Sequence, residues 1–226
     1  MNDRKALLLI GSPRGMASVS HSLGNHLLSL IEERGMALKK LLVYPAMADE
    51  KKMMELLAAV DSCTLLILAF PLYVDHLPAP VIDLLRRISE RRQGHQVALP
   101  QAFVAIVNCG FPETVHCRLA GEIMRIFAKT AGFRFLGCLA LGMGGAIGNR
   151  ELANAGAMVR HQVKALAQAA AYLAKGEAIP AAVSELMGKA MMPRWFYNLV
   201  ADWGWKRAAK KNGASGQLND TPYAGD

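Results

Sequence analysis

Residues 7–23 read LLLIGSPRGMASVSHSL. Leu7 to Ile10 form a wholly apolar run of the kind that fills a buried strand. Gly11-Ser12-Pro13-Arg14 breaks it, and Ser18, Ser20 and Ser22 lead into a helical spacing of apolar residues. A helix N-terminus carries unpaired N–H donors and a partial positive charge, so an arginine and several serines where a strand hands over to a helix point to an anion site. One serine is enough to cap a helix. Ser12, Arg14, Ser18 and Ser20 exceed that need, and their spacing matches neither GxGxxG nor GxxxxGK[ST]. The expectation is a phosphate seat of another kind.

Further along the chain, apolar runs of strand length recur at 38–44, 63–70, 102–108 and 135–141, beside the first at 5–10, without the alternation of a half-exposed strand. Helical spacing fills 18–34, 50–60, 79–93, 115–131 and 151–175. This strict alternation predicts an α/β fold, a doubly wound parallel sheet with helices on both faces. Gly35, Asp49, the pair Pro78 and Pro80, Gly132 and Lys175-Gly176 stand where such helices start and stop.

Ligands of doubly wound sheets bind outside the carboxyl ends of the strands, near the point where strand order reverses. The third run exits into Pro71-Leu72-Tyr73-Val74-Asp75-His76-Leu77-Pro78. Proline stiffening of a loop accounts for the prolines alone. Tyr73 and Val74 add a rigid, partly apolar shelf suited to a flat aromatic ligand, while His76 reads as a loop histidine. The fourth run exits into Asn108-Cys109-Gly110-Phe111-Pro112-Glu113, where Gly110 frees the backbone for close approach and Asn108 and Phe111 offer a polar edge and an apolar wall. The glycine-rich GMGGAIGN at 142–149 reads equally as a lid or as a wall on the substrate side.

The 226 residues, 53% hydrophobic and 19% charged, suffice for one sizeable core and an appendage. The boundaries expected are a main domain over 1–178, a helical aromatic and basic extension over 179–212, and a disordered tail over 213–226. All three tryptophans lie in that extension, beside a basic end at Lys206, Arg207, Lys210 and Lys211. Core packing, a dimer contact and a membrane surface are its three readings. The formal charge of +8 fits nucleic acid, a membrane surface or an anionic small molecule. No nucleic-acid motif accompanies it, so no nucleic-acid partner is expected, and Arg86, Arg87, Arg91 and Arg92 read as a solvated helix face. Cys63, Cys109, Cys117 and Cys138 match no metal-ligand spacing, so neither a metal nor a disulfide is expected. No apolar run reaches the roughly 18 residues of a membrane span, and no signal peptide is visible, which leads to the expectation of a cytoplasmic protein.

Taken together, GSPR with its spaced serines, PLYVDxLP at the third exit and NCGFPE at the fourth resemble the flavodoxin-like NAD(P)H-dependent FMN reductases. The resemblance covers roughly residues 5 to 175. It implies a five-stranded parallel sheet of order 2-1-3-4-5 and bound FMN. Ser12, Arg14, Ser18 and Ser20 would hold the phosphate, with a backbone N–H from Val19. Pro71, Leu72, Tyr73 and Val74 would line the ribityl chain and isoalloxazine, and Asn108, Cys109, Gly110 and Phe111 would flank the ring's other edge. It further implies NADPH or NADH as hydride donor, a quinone, flavin or similar small-molecule electron acceptor, and a homodimer. No catalytic side chain is implied, because the flavin carries the chemistry. The competing readings are a flavodoxin-type electron carrier, disfavoured by the charge of +8 because such carriers are usually acidic, and a flavoprotein that docks on a membrane or a partner.

Overall fold

A computed structural model of the chain describes residues 4–93 and 100–221. The described strands are β1 (Lys5–Ile10), β2 (Ala37–Leu42), β3 (Leu65–Pro71), β4 (Ala102–Asn108) and β5 (Arg134–Leu141). They pair in parallel in the order β2-β1-β3-β4-β5. The helices are α1 (Val19–Glu32), α2 (Val43–Met47), α3 (Glu50–Ser62), α4 (Ala79–Gln93), α5 (Arg118–Thr130), α6 (Gly144–Ile147), α7 (Arg160–Lys175), α8 (Ala181–Met187) and α9 (Arg194–Lys211).

Because successive strand residues point to opposite faces, each central strand feeds two cores. Leu8, Ile67, Val104 and Leu139 pack with α1, α7 and α8 on one face. Leu7, Leu9, Leu68 and Phe103 pack with α3, α4 and α5 on the other. A Cβ on Gly24 would stand 2.7 Å from Leu8 Cδ1, so α1 lies on β1 at glycine distance. The helix stops read from the sequence operate locally. Asp49 Oδ1 accepts from the N–H groups of Lys51 and Lys52 at 3.0 and 3.2 Å. Gly176, at φ +73°, closes α7 with its N–H on Leu173 O.

Three expectations need correction. β2 is an edge strand with Lys39 and Lys40 exposed, not an apolar run buried on both faces; charge on an edge discourages pairing with other chains. Its expected last residues, Val43 and Tyr44, instead open α2. The helix expected from 151 starts at Arg160, because Gly148 and Gly156 take positive φ and the segment between coils into 3-10 turns at Leu152–Asn154 and Gly156–Val159.

The chain divides into two compact units, Met1–Met191 and Met192–Asp226. Within the first, α8 buries Val183 and Met187 against α7 and β5, so the first unit runs past the boundary expected at 178. The second unit holds α9 and exposed turns beyond it, and residues 222–226 of the expected tail lie outside the described residues. No described helix is long and apolar enough to cross a membrane.

Candidate functional site

The strand order reverses between β1 and β3, and the exits of both strands meet the exit of β4 at one edge of the sheet. At the β1 exit, Gly11 N–H extends the ladder to Ala69 O at 2.8 Å. A Cβ there would sit 2.5 Å from Val81 Cγ2, so this glycine is required by packing as the loop leaves the sheet. The loop then coils tightly. Gly15 N–H donates to Ser12 O at 3.0 Å, and Arg14 N–H to Ser12 Oγ at 3.4 Å. Ser18 is the N-cap of α1, accepting from His21 N–H at 3.1 Å and donating to Gly15 O at 2.6 Å. Its hydroxyl serves the helix start. Ser20 Oγ accepts from Asn108 Nδ2 at 2.8 Å, facing the end of β4. The N–H groups of Val19 and Ser20, in the first turn of α1, have no acceptor within the helix. Arg14 reaches across to Asn149 Oδ1.

The sequence expectation grouped Ser12, Arg14, Ser18, Val19 and Ser20, and these lie along the segment from the β1 exit through a 3-10 turn at Gly15–Ala17 to the first turn of α1. Ser12, Ser18 and Ser20 are buried. Burial also governs the histidines behind them. His21 and His26 are held below the usual imidazole range, chiefly by burial, and Nε2 of His21 has no hydrogen-bond partner.

At the β3 exit, Pro71 is the last paired residue and Leu72 N–H donates to Asn108 O at 2.8 Å. Tyr73 and His76 exchange backbone hydrogen bonds of 2.9 and 3.1 Å around Val74 and Asp75, which both take positive φ, +49° and +58°. Two positive φ values in the centre of a turn are the mirror-image type I geometry, which ordinarily selects glycine or asparagine. A β-branched valine there is strained, and such strain concentrates at functional sites. Val74 is 98% exposed and Tyr73 47%, so the strained turn presents an apolar face to solvent.

The β4 exit faces it. Phe111, half exposed, stacks on the His116 ring at 4.2 Å, and His116 Nδ1 lies 3.1 Å from Asp75 Oδ1. That contact joins the third and fourth exits. Asn108 does not present a polar edge outward as expected. It is buried and donates both amide hydrogens inward, to Ser20 Oγ and to Phe70 O at 3.1 Å, joining α1, β3 and β4. Cys109 is also buried, its N–H on Leu141 O at 2.9 Å and its thiol 3.7 Å from the carbonyls of Phe111 and Glu113. A hydrogen bond between thiols holds Cys109 below the usual range and pushes Cys117 up. A Cβ on Gly110 would meet nothing within 4 Å.

The glycine-rich stretch after β5 is a wall that packs against this loop. Met143 N–H donates to Phe111 O at 2.7 Å and Gly144 N–H to Cys109 O at 2.9 Å, while a Cβ on Gly142 would stand 2.5 Å from Pro112 O. Two residues at this edge, Asn149 at the end of the glycine-rich stretch and Tyr44 at the expected end of β2, make contacts that the sequence reading did not assign. Asn149 meets Arg14, and Tyr44, whose hydroxyl is held above its usual range by burial and by the neighbouring Tyr73, sits just past β2. Both follow strand exits, which was the signal available. All four cysteines are free thiols, and no cluster of metal-ligating side chains occurs among the described residues. Three arginines of α4 are cancelled locally, Arg86 and Arg87 by Asp83, Glu90 and Glu50, and Arg91 by Asp61, whereas Arg92 departs from the solvated face expected of it: it is partly buried, donates to Gln101 Oε1 and lies over the Phe133 ring at 3.8 Å.

No family model and no curated protein matches this sequence. Among solved structures, an NADH:FMN oxidoreductase in its apo form is similar over 84% of this chain and 97% of its own, with a TM-score of 0.58 at 16% identity. A flavodoxin from Streptococcus pneumoniae matches over 76% and 98%, with a TM-score of 0.51 at 14% identity. An FMN-dependent NADH-azoreductase from Bacillus anthracis, in complex with FMN, matches over 76% and 99%, with a TM-score of 0.50 at 14% identity. The sheet order and these likenesses define the class: the chain has the flavodoxin-like fold.

Proposed function

We propose that this protein is an FMN-dependent NAD(P)H oxidoreductase that reduces a quinone, a flavin or a similar small acceptor. The observation that carries this reading is the pairing, at one sheet edge, of an anion seat at the start of α1 with the exposed shelf of Tyr73, Val74 and Phe111. Together they suit a monophosphate attached to a flat ring.

The residues present fit that group. The first-turn N–H groups of Val19 and Ser20 and the Arg14 guanidinium supply donors to a phosphate, with Ser12 and Ser18 shaping the loop around it. Pro71 and Leu72 would flank the ribityl chain, and Tyr73, Val74, Gly110 and Phe111 the ring. Asn108 and Cys109 act as positioning residues, holding α1, β3 and the Gly142 to Gly144 turn in register. Bound FMN would accept a hydride from NADH or NADPH and pass the electrons to the acceptor. The chain contributes orientation and an apolar, open face on which donor and acceptor stack in turn, without a general acid or nucleophile. A homodimer with exposed Val115 and Leu119, beside the fourth exit, in its contact, and a cytoplasmic location, belong to the same reading.

Titrating the purified protein with FMN and with riboflavin, followed by flavin fluorescence, tests it. FMN should bind at least tenfold more tightly than riboflavin, since only FMN engages the seat. Equal affinity for the two, or no FMN binding, overturns the assignment. FMN binding with no reduction by NAD(P)H supports a flavodoxin-type carrier instead, the reading to which the flavodoxin likeness points.

A further inference from the structure

The second half of the aromatic extension read from the sequence forms α9 of the second unit. Along α9, Trp195 is 70% exposed, Trp203 61% and Trp205 69%, and Phe196, Leu199 and Val200 are exposed as well. An isolated helix of this length is marginal in water, and Gly204 in its middle weakens it further. So much uncovered apolar surface calls for an apolar partner.

The arrangement of charge narrows what that partner is. Positions about eleven residues apart, three helical turns, fall on the same face. Trp195, Phe196, Leu199 and Val200 are followed at that spacing by Lys206, Arg207, Lys210 and Lys211. One face is therefore apolar over its first half and cationic over its second, with Trp203 between and Trp205 on the opposite side. Among the described residues the acidic side chains of this unit are Asp202, bound to Lys206 at 2.7 Å, and Asp220 beyond the helix. The Arg207 guanidinium lies over the Trp203 ring at 5.4 Å, leaving its charge unneutralised by any carboxylate there.

We propose that α9 docks on an anionic lipid surface, inserting the face of Trp195, Leu199 and Trp203 at the headgroup boundary and setting the basic end against lipid phosphates. Tryptophans favour that boundary, and long cationic side chains keep their heads among the phosphates while their stems lie on apolar surface. A second copy of the chain fits less well, because it is itself net basic at +8 and brings the same cations to the contact. A nucleic acid would leave Leu199 and Val200 without apolar cover.

The test uses the full chain and vesicles of phosphatidylcholine alone or mixed equally with phosphatidylglycerol, read by co-sedimentation and by the tryptophan emission maximum. Binding to the mixed vesicles with a blue-shifted emission, weakened by added salt, is expected. Lys206→Gln/Arg207→Gln/Lys210→Gln/Lys211→Gln should lower partitioning on the order of a hundredfold. Trp195→Ser/Leu199→Ser/Trp203→Ser should abolish the blue shift, with circular dichroism and FMN titration checking that each variant stays folded. Equal binding to both vesicles, or no binding to either, overturns the proposal. So does a dimer in sedimentation velocity that the serine variant dissolves while vesicles leave the protein in solution.

Discussion

The two ends of the candidate site are built in opposite ways. Around the β1 exit the hydroxyls of Ser12, Ser18 and Ser20 are buried and already bonded, leaving backbone donors at the start of α1 and the Arg14 guanidinium for a ligand. Across the edge, Tyr73, Val74 and Phe111 stand in solvent on a strained turn and a loop tied by the Asp75–His116 contact. A preorganised anion seat holds one end of a ligand with little ordering cost, while an open apolar shelf lets a second flat molecule arrive and leave. Under the proposed function, this difference would separate retention of a cofactor from exchange of its partners.

The comparison breaks most visibly at Arg14. Arg14→Glu removes a charge-assisted donor and adds a like charge, so FMN affinity should fall by about a hundredfold or more while riboflavin affinity barely moves, measured by fluorescence titration. Asn108→Ala leaves Ser20 Oγ and Phe70 O without their buried donor and should cost about 1–3 kcal/mol, seen as a lower denaturation midpoint. Tyr73→Ala removes shelf area and should weaken FMN and riboflavin alike by about 0.5–1.5 kcal/mol, which separates the shelf from the seat.

The smallest effect is with pH. Burial holds His21 and His26 below the ordinary imidazole range, so as pH falls below about 6.5 the unfolded chain takes up protons before the folded one does. Their stabilising contribution is present in full above that pH and is lost as pH falls through the lowered values. Thermal midpoints should therefore drop between about pH 7.5 and 5.5, and His21→Gln should flatten that slope.

Much of this was legible in the chain because the central strands are apolar on both faces and their exits carry chemically distinct residues. The sheet order follows the resemblance, and the grouping of Ser12 to Ser20 along one strand exit and helix start follows from a strand feeding a helix. What escaped depends on contacts between distant segments. Asn108 looked like a ligand group because a polar residue at a strand end usually faces out; only the packed structure shows both its amide hydrogens directed inward. The glycine-rich stretch at 142–149 read equally as a lid or as a wall on the substrate side. Gly142 and Gly144 are there for backbone approach to Pro112 and Cys109, far back along the chain, which no local pattern encodes. For α9 the sequence left core packing, a dimer and a membrane open, and within the second unit all three tryptophans are exposed.

Anaerobic mixing of the FMN-loaded protein with NADH, and separately with NADPH, tests the central claim most directly. The account predicts that at least one nicotinamide bleaches the flavin absorbance in a single rapid phase, and that an added quinone restores it. Bound FMN that neither nucleotide reduces, under conditions where dithionite does, would contradict it.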